Sequence, residues 1–251
     1  MPRDEISLQL YTVRSPLEED LEGTLARVAE MGYRAVEPYG FVDRAERMAD
    51  ALTECGLSAP TAHAALLRDD RVPLYSAARR LGVTTLIVPM VEAERWQTAD
   101  DIKGIARDLN RVAAEAADHG FTVGYHNHHV ELELKLGGVH VLEVLADHLA
   151  DGVVLEVDTY WAAVGGADVP ALLARLGDRV RALHMKDGDR SRNNKAQVAV
   201  GDGVIPVMDI LAAAPNALRV VELDDFEGDI FDPIAKSFRF LSGTHHTGKL
   251  I

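Results

Sequence analysis

The chain has 251 residues, of which 47% are hydrophobic and 26% charged, and this composition is that of an ordinary globular protein rather than a disordered or fibrous one. Its formal net charge of −14 disfavours binding to nucleic acid or to anionic lipid. No apolar run approaches the ~20 residues that cross a bilayer, and no secretory signal opens the sequence, so we expect no membrane contact. A single cysteine, Cys55, excludes an internal disulfide and fits the reducing cytoplasm, where we expect the protein to reside.

Eight short apolar runs rich in β-branched residues recur along the chain and predict strands. Continuous apolar runs are typical of parallel strands that are buried on both faces. The predicted strands are 5–10, 34–39, 57–63, 84–90, 122–128, 153–158, 180–186 and 218–223.

Stretches with helical periodicity separate these strands. Residues 17–32 place Leu21 and Leu25 on one face and end at Gly32, and residues 99–120 carry acidic side chains in their first turn. The other predicted helices are 43–54, 70–81, 138–149, 168–176, 206–214 and 232–242.

Eight strand–helix units in a chain of this length predict an α/β fold, a closed parallel (β/α)8 TIM barrel. No linker rich in Pro, Gly or Ser divides the sequence, so we expect one domain over residues 1–251. A doubly wound open sheet is the alternative, but the phosphate-binding fingerprint GxGxxG does not follow the first strand.

Several predicted strands end in polar residues that a protein core disfavours. In a TIM barrel the carboxyl ends of all strands converge on one mouth, where active sites are found. Charged groups buried there are unfavourable unless they are paired or bind a metal. The polar residues at these strand ends are Gln9, Tyr11, Glu37, His63, His126, Asn127, His128, Glu156, Asp158, His184, Lys186, Glu222 and Asp224.

The alternation of side chains along strands can bring four of these residues to one face. Asp158, His184 and Glu222 can point into the mouth from three consecutive strands, and His126 can join them from the fifth. Two carboxylates and two imidazoles suit Mn²⁺, Zn²⁺, Co²⁺ or Fe²⁺ better than Mg²⁺. Singly, each residue also has a structural interpretation, such as a hydrogen-bonded histidine or a helix cap at Asp158. The combination predicts a site for one divalent metal ion.

The chain resembles the xylose isomerase-like barrels, often called sugar phosphate isomerase/epimerases. The resemblance covers nearly the whole chain and rests on ISLQLYTVR, GFTVGYHNH, LEVDTYWAAVGG, VRALHMKDGD, VGDGVI and VVELDD. It implies one divalent metal, typically Mn²⁺ (Zn, Co, Fe or Mg being alternatives), bound through His126, Asp158, His184 and Glu222. Relatives that interconvert ketoses usually have a motif headed by glutamate at the position of His126. The sequence His126-Asn127-His128 is instead similar to that of the inosose dehydratases.

This resemblance implies a chemistry for the mouth. The metal would polarise a sugar carbonyl, so that a base could remove the neighbouring proton and leave a metal-stabilised enediolate. We therefore expect an isomerase/epimerase of a keto-sugar or sugar phosphate, with a dehydratase (lyase) of a keto-sugar or inosose as the alternative. Glu222 is the first candidate for the base and His128 the second, while Lys186 would donate a proton or neutralise an oxyanion. Alternatively, Lys186 simply pairs with Asp187 or Glu156.

Four more residues are candidates for substrate binding. Glu37 and His63 would bind sugar hydroxyls, and Trp161 and Tyr11 would stack on a sugar face. The expected partner is a small sugar or polyol, and homo-oligomers are common among such barrels. Two other classes remain open: a nuclease for abasic sites, which the net charge of −14 disfavours, and a metal-free sugar-binding barrel.

The loop over residues 187–203 carries three cations in an otherwise acidic chain. Arg190, Arg192 and Lys195 would either clamp a phosphate or carboxylate or lie on a solvated loop.

Overall fold

Eight parallel strands form the centre of the structure, a computed structural model that describes residues 6–68 and 70–243. All eight predicted strands are confirmed, although most are shorter than predicted; in those predicted at 122–128, 180–186 and 218–223, the polar residues at the carboxyl end lie beyond the paired segment. The strands are β1 (Ile6–Gln9), β2 (Ala35–Glu37), β3 (Thr61–His63), β4 (Thr85–Val88), β5 (Thr122–His126), β6 (Val153–Asp158), β7 (Val180–Met185) and β8 (Leu218–Val221).

The strands follow one another around the sheet in the order β2-β1-β8-β7-β6-β5-β4-β3. β2 and β3 approach each other through a bridge between Ala35 and Ser58 and through a hydrogen bond from His63 N to Pro38 O at 2.9 Å. The sheet is therefore a nearly closed barrel, as predicted, and not a doubly wound open sheet.

Helices surround the barrel and pack their apolar faces against it. They are α1 (Arg14–Glu19), α2 (Leu21–Glu30), α3 (Ala45–Cys55), α4 (Val72–Arg80), α5 (Ala99–Asp118), α6 (Val130–Glu133), α7 (Val141–His148), α8 (Thr159–Val164), α9 (Val169–Leu176), α10 (Val207–Ala213) and α11 (Phe231–Leu241). None of these helices is both long enough and apolar enough to span a membrane.

The structure differs from the predicted helices at the first one. Residues 17–32 were expected to form one helix, but Asp20 adopts an extended conformation and separates α1 from α2. Its side chain accepts a hydrogen bond from Gly23 N at 3.0 Å and so caps α2. An aspartate is a favourable N-cap, and this local preference overrides the continuous apolar pattern.

The register of the barrel strands aligns the predicted site residues. Asp158 is paired with His184 across β6 and β7, and His126 with Glu156 across β5 and β6. On the other side of the barrel, Gln9 pairs with Glu37. The polar ends of neighbouring strands therefore lie at one level.

Two short helices, α6 and α8, extend directly from the mouth and pack against each other at Gly165. A Cβ atom at Gly165 would lie 2.6 Å from His129 O and 2.6 Å from Leu132 Cβ. His129 directly precedes the short helix α6 and Leu132 lies within it, so neither atom can move aside easily.

We expect Gly165→Ala to lower the free energy of unfolding by about 1–3 kcal/mol because of this overpacking. Denaturant unfolding measures the change. Gly152→Ala is the matched control, because a Cβ there meets no atom within 4 Å and the stability should change by less than about 0.5 kcal/mol. Equal stability of the two variants would contradict the close packing of α6 on α8.

Candidate metal and substrate site

The four predicted metal ligands come together at the mouth of the barrel. His126, Asp158, His184 and Glu222 each offer a ligand atom, and these atoms all lie within 4.8 Å of one another. All four side chains are buried. They come from the ends of β5, β6, β7 and β8, as the alternation of side chains indicates.

A second group of the same kind overlaps the first. His63, His126, Glu156 and His184 also present ligand atoms within 4.8 Å of one another. Glu156 Oε1 is buried and has no hydrogen-bond partner, and the same is true of Glu37 Oε2 beside it. Buried carboxylate oxygens without a donor are unfavourable. The donor set of imidazoles and carboxylates therefore fits a divalent transition-metal ion.

His184 is the most heavily contacted side chain of the cluster. Its Nδ1 lies 2.6 Å from Glu222 Oε2, and its Nε2 lies 2.8 Å from Glu37 Oε1 and 3.1 Å from Glu156 Oε2. Burial by itself would lower the pKa of His184, but the surrounding carboxylates outweigh it and raise the pKa well above its usual value.

His126 has the opposite protonation behaviour. Burial and the positive charge of His184 lower its pKa well below the usual value, so the ring is neutral. Its Nδ1 lies 3.1 Å from Glu156 Oε2 and donates to it. The lone pair is then on Nε2, which faces Asp158 Oδ2 at 3.7 Å. This tautomer presents an acceptor nitrogen to the predicted ligand set.

Lys186 lies among three carboxylates. Its Nζ is 2.9 Å from Asp158 Oδ2, 2.7 Å from Glu222 Oε2 and 3.0 Å from both oxygens of Asp224. Burial would lower the pKa of Lys186, but these carboxylates raise it well above its usual value, so the ammonium is charged. The predicted pairing of Lys186 with Asp187 or Glu156 is therefore wrong.

The carboxylates respond differently to this environment. Burial outweighs the attraction of Lys186 at Asp158 and raises the pKa of Asp158 to about 6. At Glu222, burial is outweighed by Lys186 and His184, which hold the pKa well below its usual range. Asp158 Oδ1 also accepts a hydrogen bond from Trp161 N at 2.8 Å, so the helix-cap interpretation is confirmed.

Asp187 has a structural role in the loop that follows β7. Its buried carboxylate accepts hydrogen bonds from the backbone N–H groups of Gly188 at 2.9 Å, Gly201 at 3.0 Å and Ile205 at 3.0 Å. It therefore anchors both ends of this loop over the mouth.

The loop after β5 is anchored by two side chains. Glu131 accepts a hydrogen bond from His128 N at 3.1 Å and another from Tyr125 Oη at 2.5 Å. Asn127 Oδ1 accepts from Asp158 N at 3.1 Å. These bonds hold His128 at the mouth, where its Nδ1 is buried and has no hydrogen-bond partner. Burial and the nearby Lys186 lower the pKa of His128 to about 4.

A cavity of about 440 Å³ opens above this cluster. Tyr11 lines it and is 40% exposed, and its ring meets the edge of Tyr39 with centroids 5.2 Å apart. The wall is thus divided into an aromatic and apolar part and a polar part. The lining residues are Tyr11, Tyr39, Gly40, His63, Ala64, Ala65, Pro89, Met90, His126, His128, Glu222 and Asp224.

Two residues predicted to bind substrate do not line this cavity. Trp161 lies in the first turn of α8 and is only 5% exposed, so it cannot stack on a sugar in the cavity. Its ring lies beneath Lys186, with 5.7 Å from Nζ to the centroid. Glu37 is fully buried and accepts a hydrogen bond from Gln9 Nε2 at 2.7 Å. The helix start at Thr159 turns Trp161 inward, which strand periodicity does not reveal.

The three cations of the loop also lie away from the cavity. Arg190 donates to Ala163 O at 2.7 Å, Arg192 pairs with Glu133, and Lys195 Nζ lies 3.1 Å from Glu227 Oε1. These three side chains therefore fit the interpretation as a solvated loop better than the interpretation as a clamp for a phosphate or carboxylate.

Some residues of the site were not given a role by the sequence. Tyr39 and Asp224 line the cavity, and each lies two residues beyond a predicted site residue, Glu37 or Glu222, in the segment that follows the strand. Gln197 holds Asp224 by donating to its Oδ2 at 2.6 Å and by accepting from its backbone N–H at 2.7 Å. The positions of Tyr39 and Asp224 just after strand ends could have indicated them, whereas Gln197 reaches the site only through the loop.

A sequence model of one protein family, described as xylose isomerase-like TIM barrel, matches residues 25–217. The chain belongs to this family. No curated protein matches the chain in sequence.

Solved structures from several members of this fold superimpose on the chain. A sugar phosphate isomerase/epimerase from Parabacteroides distasonis is 23% identical, with a TM-score of 0.78 over 96% of this chain and 95% of that one. A probable 3-DHS dehydratase from Bacillus anthracis is 14% identical, with a TM-score of 0.74 over 96% and 99%. The IolI protein with a bound zinc atom is 14% identical, with a TM-score of 0.69 over 96% and 95%. At these identities, the likeness establishes the fold.

We expect Lys186→Met to lower the free energy of unfolding of the metal-free protein by about 3–5 kcal/mol, because it leaves buried carboxylates without their cation. Denaturant unfolding tests this. Lys195→Met removes the exposed pair with Glu227 and should change stability by less than about 1 kcal/mol. A loss below about 1 kcal/mol for Lys186→Met would contradict the role of Lys186 as the compensating charge.

We expect the His128 ring to stay neutral in the folded, metal-free protein as the pH falls from 7 to 5, because its pKa is about 4. The unfolded chain takes up this proton near pH 6.5, so His128 lowers stability progressively as the pH falls through this interval. Imidazole NMR shifts measure the titration, and the spectrum of His128→Gln assigns the signal. A midpoint near 6.5 would contradict the buried environment.

Proposed function

We propose that this protein is a divalent-metal-dependent isomerase or epimerase of a keto-sugar or sugar phosphate. The observation that carries the proposal is the convergence of His126, Asp158, His184 and Glu222 beneath a cavity at the carboxyl ends of the barrel strands. TIM-barrel enzymes have their active sites at this end of the barrel.

In this proposal, His126, Asp158, His184 and Glu222 hold one metal ion, with Mn²⁺ as the first candidate and Zn²⁺, Co²⁺, Fe²⁺ or Mg²⁺ as alternatives. When bound, the metal would polarise a substrate carbonyl as a Lewis acid. The zinc atom in the IolI structure supports a metal in this fold. Lys186 would keep its contact with Asp224, which lies outside the ligand set.

Glu222 is the proposed catalytic base. It is ionised, as a base must be, and it lies at the floor of the cavity. Its carboxylate would accept the proton from the carbon next to the substrate carbonyl, and the electrons of the broken C–H bond would form the enediolate. Return of the proton to the neighbouring carbon gives an isomer, and return to the opposite face gives an epimer.

The other residues of the mouth would assist this proton transfer. His128 is neutral and has an unpartnered nitrogen at the cavity, so it is the second candidate for a base. Lys186 lies 2.7 Å from Glu222 Oε2 and would stabilise the negative charge of this carboxylate or donate a proton to it. His63 lines the cavity and would bind a substrate hydroxyl. Glu37 is buried beneath the cavity and would act by holding the His184 ring in position.

A dehydratase of a keto-sugar or inosose is the second candidate. It is favoured by one observation, the imidazole of His126 at the position where ketose-converting relatives have a glutamate. The structural likeness to a probable dehydratase agrees with it at the level of the fold. Loss of a β-hydroxyl from the same enediolate would give the dehydrated product.

The expected partner is a small sugar or polyol, and the net charge of −14 argues against a nuclease. We place the protein in the cytoplasm because its single cysteine suits a reducing compartment, and a homo-oligomer is common for barrels of this size.

A screen of keto-sugars and inososes with Mn²⁺, followed by mass spectrometry, tests the proposal. Products of unchanged mass support an isomerase or epimerase. A product lighter by one water would establish the dehydratase instead, and full activity after removal of all metal would exclude both metal-dependent candidates.

We expect Glu222→Gln to reduce kcat by at least about 100-fold while metal is retained, because the amide cannot accept the proton but keeps a ligand oxygen. Turnover assays and elemental analysis measure the two effects separately. Glu227→Gln, at an exposed carboxylate that pairs with Lys195, is the control and should keep full activity. An active Glu222→Gln variant would show that another residue is the base.

A further inference from the structure

The cavity wall carries fixed negative charge. Glu222 and Asp224 line it, and three more carboxylates lie beneath it, those of Glu37, Glu156 and Asp158. Against these five carboxyl groups stand the ammonium of Lys186 and, in the metal-free protein, the protonated ring of His184, which contacts Glu37, Glu156 and Glu222. A bound divalent ion would take the place of the His184 proton, and together with Lys186 it would supply three positive charges. The mouth is therefore electronegative or at best neutral.

The ammonium of Lys186 is not available to an anion in the cavity. It is fully buried, and Asp158, Glu222 and Asp224 surround it at 2.7–3.0 Å. An anionic group that entered the cavity would meet the carboxylates of Glu222 and Asp224 first.

Two guanidinium groups, those of Arg14 and Arg44, are held against the tyrosines of the aromatic wall. Arg14 lies 4.3 Å from the centroid of Tyr11 and donates to Tyr11 O at 3.0 Å. Arg44 lies 5.3 Å from the centroid of Tyr39 and donates to Tyr39 O at 3.2 Å. Neither is among the described residues that line the cavity, and these include no lysine or arginine.

The remaining wall is suited to the hydrocarbon face of a ring. Tyr11 and Tyr39 pack edge to face, and Pro89 and Met90 continue this surface. Aromatic rings complement the C–H side of a cyclic polyol, while carboxylates and imidazoles on the polar wall accept hydrogen bonds from its hydroxyls.

We infer that the substrate is an uncharged cyclic keto-sugar or ketocyclitol, without a phosphate or carboxylate group. The inference rests on the proposed function and narrows its substrate class. A phosphate ester would bring up to two negative charges close to Glu222 and Asp224, where the low-dielectric cavity strengthens repulsion. The inferred substrate therefore lacks the phosphate group of a sugar phosphate.

The test compares each ligand with its own phosphate ester. The Mn²⁺-loaded protein is screened by saturation-transfer NMR against keto-sugars and inososes, each as the free compound and as the ester, with inorganic phosphate as a separate probe. We expect the free compounds to bind on the order of 100-fold more tightly than their esters, and inorganic phosphate not to compete with them. Equal or tighter binding of an ester, competition by inorganic phosphate, or no binding of any free compound would overturn the inference.

A variant with an added positive charge at the cavity wall tests whether the repulsion of phosphate esters arises in the cavity. Met90 is 63% exposed at the cavity wall, and Met208 is 67% exposed elsewhere on the surface. We expect Met90→Lys to tighten binding of the phosphate esters by about 10-fold, whereas Met208→Lys, with the same change in net charge, leaves it unchanged. Equal effects of both variants would show that only the overall charge matters, and would overturn the assignment to this cavity.

These results separate the inference from the proposed function. Tight binding of the free compounds without turnover would contradict the isomerase or epimerase but not the inferred substrate class. Turnover of a phosphate ester in preference to the free sugar would contradict the inferred substrate class alone.

Discussion

The need to compensate buried negative charge dominates this structure. Glu37, Glu156 and Asp158 are almost completely removed from water, and Glu222 is only 5% exposed. Burial of ionised carboxylates is unfavourable by several kcal/mol for each group unless cations or hydrogen-bond donors compensate it. Lys186 compensates the carboxylates toward the cavity, those of Asp158 and Glu222. The imidazoles compensate the deeper carboxylates of Glu37 and Glu156. The oxygens that remain unpartnered, Glu37 Oε2 and Glu156 Oε1, lie among donor groups that suit a bound cation.

The barrel makes such a concentration of charge possible. Parallel strands with their carboxyl ends at one level bring side chains together that are far apart in sequence, such as His126 and Glu222. The loops then restrict these side chains further. Asn127 and Glu131 hold the segment after β5, while Gln197 holds Asp224 from the other side. A stable scaffold thus supports an electrostatically unfavourable arrangement, as is usual for sites that bind metals and carry out proton transfer.

The fold alone does not define the reaction, because structures with the same barrel include a sugar phosphate isomerase/epimerase and a probable dehydratase. The chemistry of the mouth distinguishes among the possibilities. His126 contributes a neutral imidazole to the buried cluster, and the cavity above it combines carboxylates with the tyrosine pair Tyr11 and Tyr39. These two features bear on the type of reaction and on the charge of the substrate.

The sequence by itself determined the eight strands and the convergence of His126, Asp158, His184 and Glu222, because strand periodicity and the geometry of a parallel barrel are sufficient to place residues on one face and at one end. Only the tertiary structure decided which carboxylates surround Lys186, because its long side chain reaches Asp224 and Glu222 across strands. It also decided that Trp161 lies beneath the cavity, since the direction of a side chain changes where a strand becomes a helix. The network of charges, and with it the protonation state of each group, depends on distances that no sequence pattern contains.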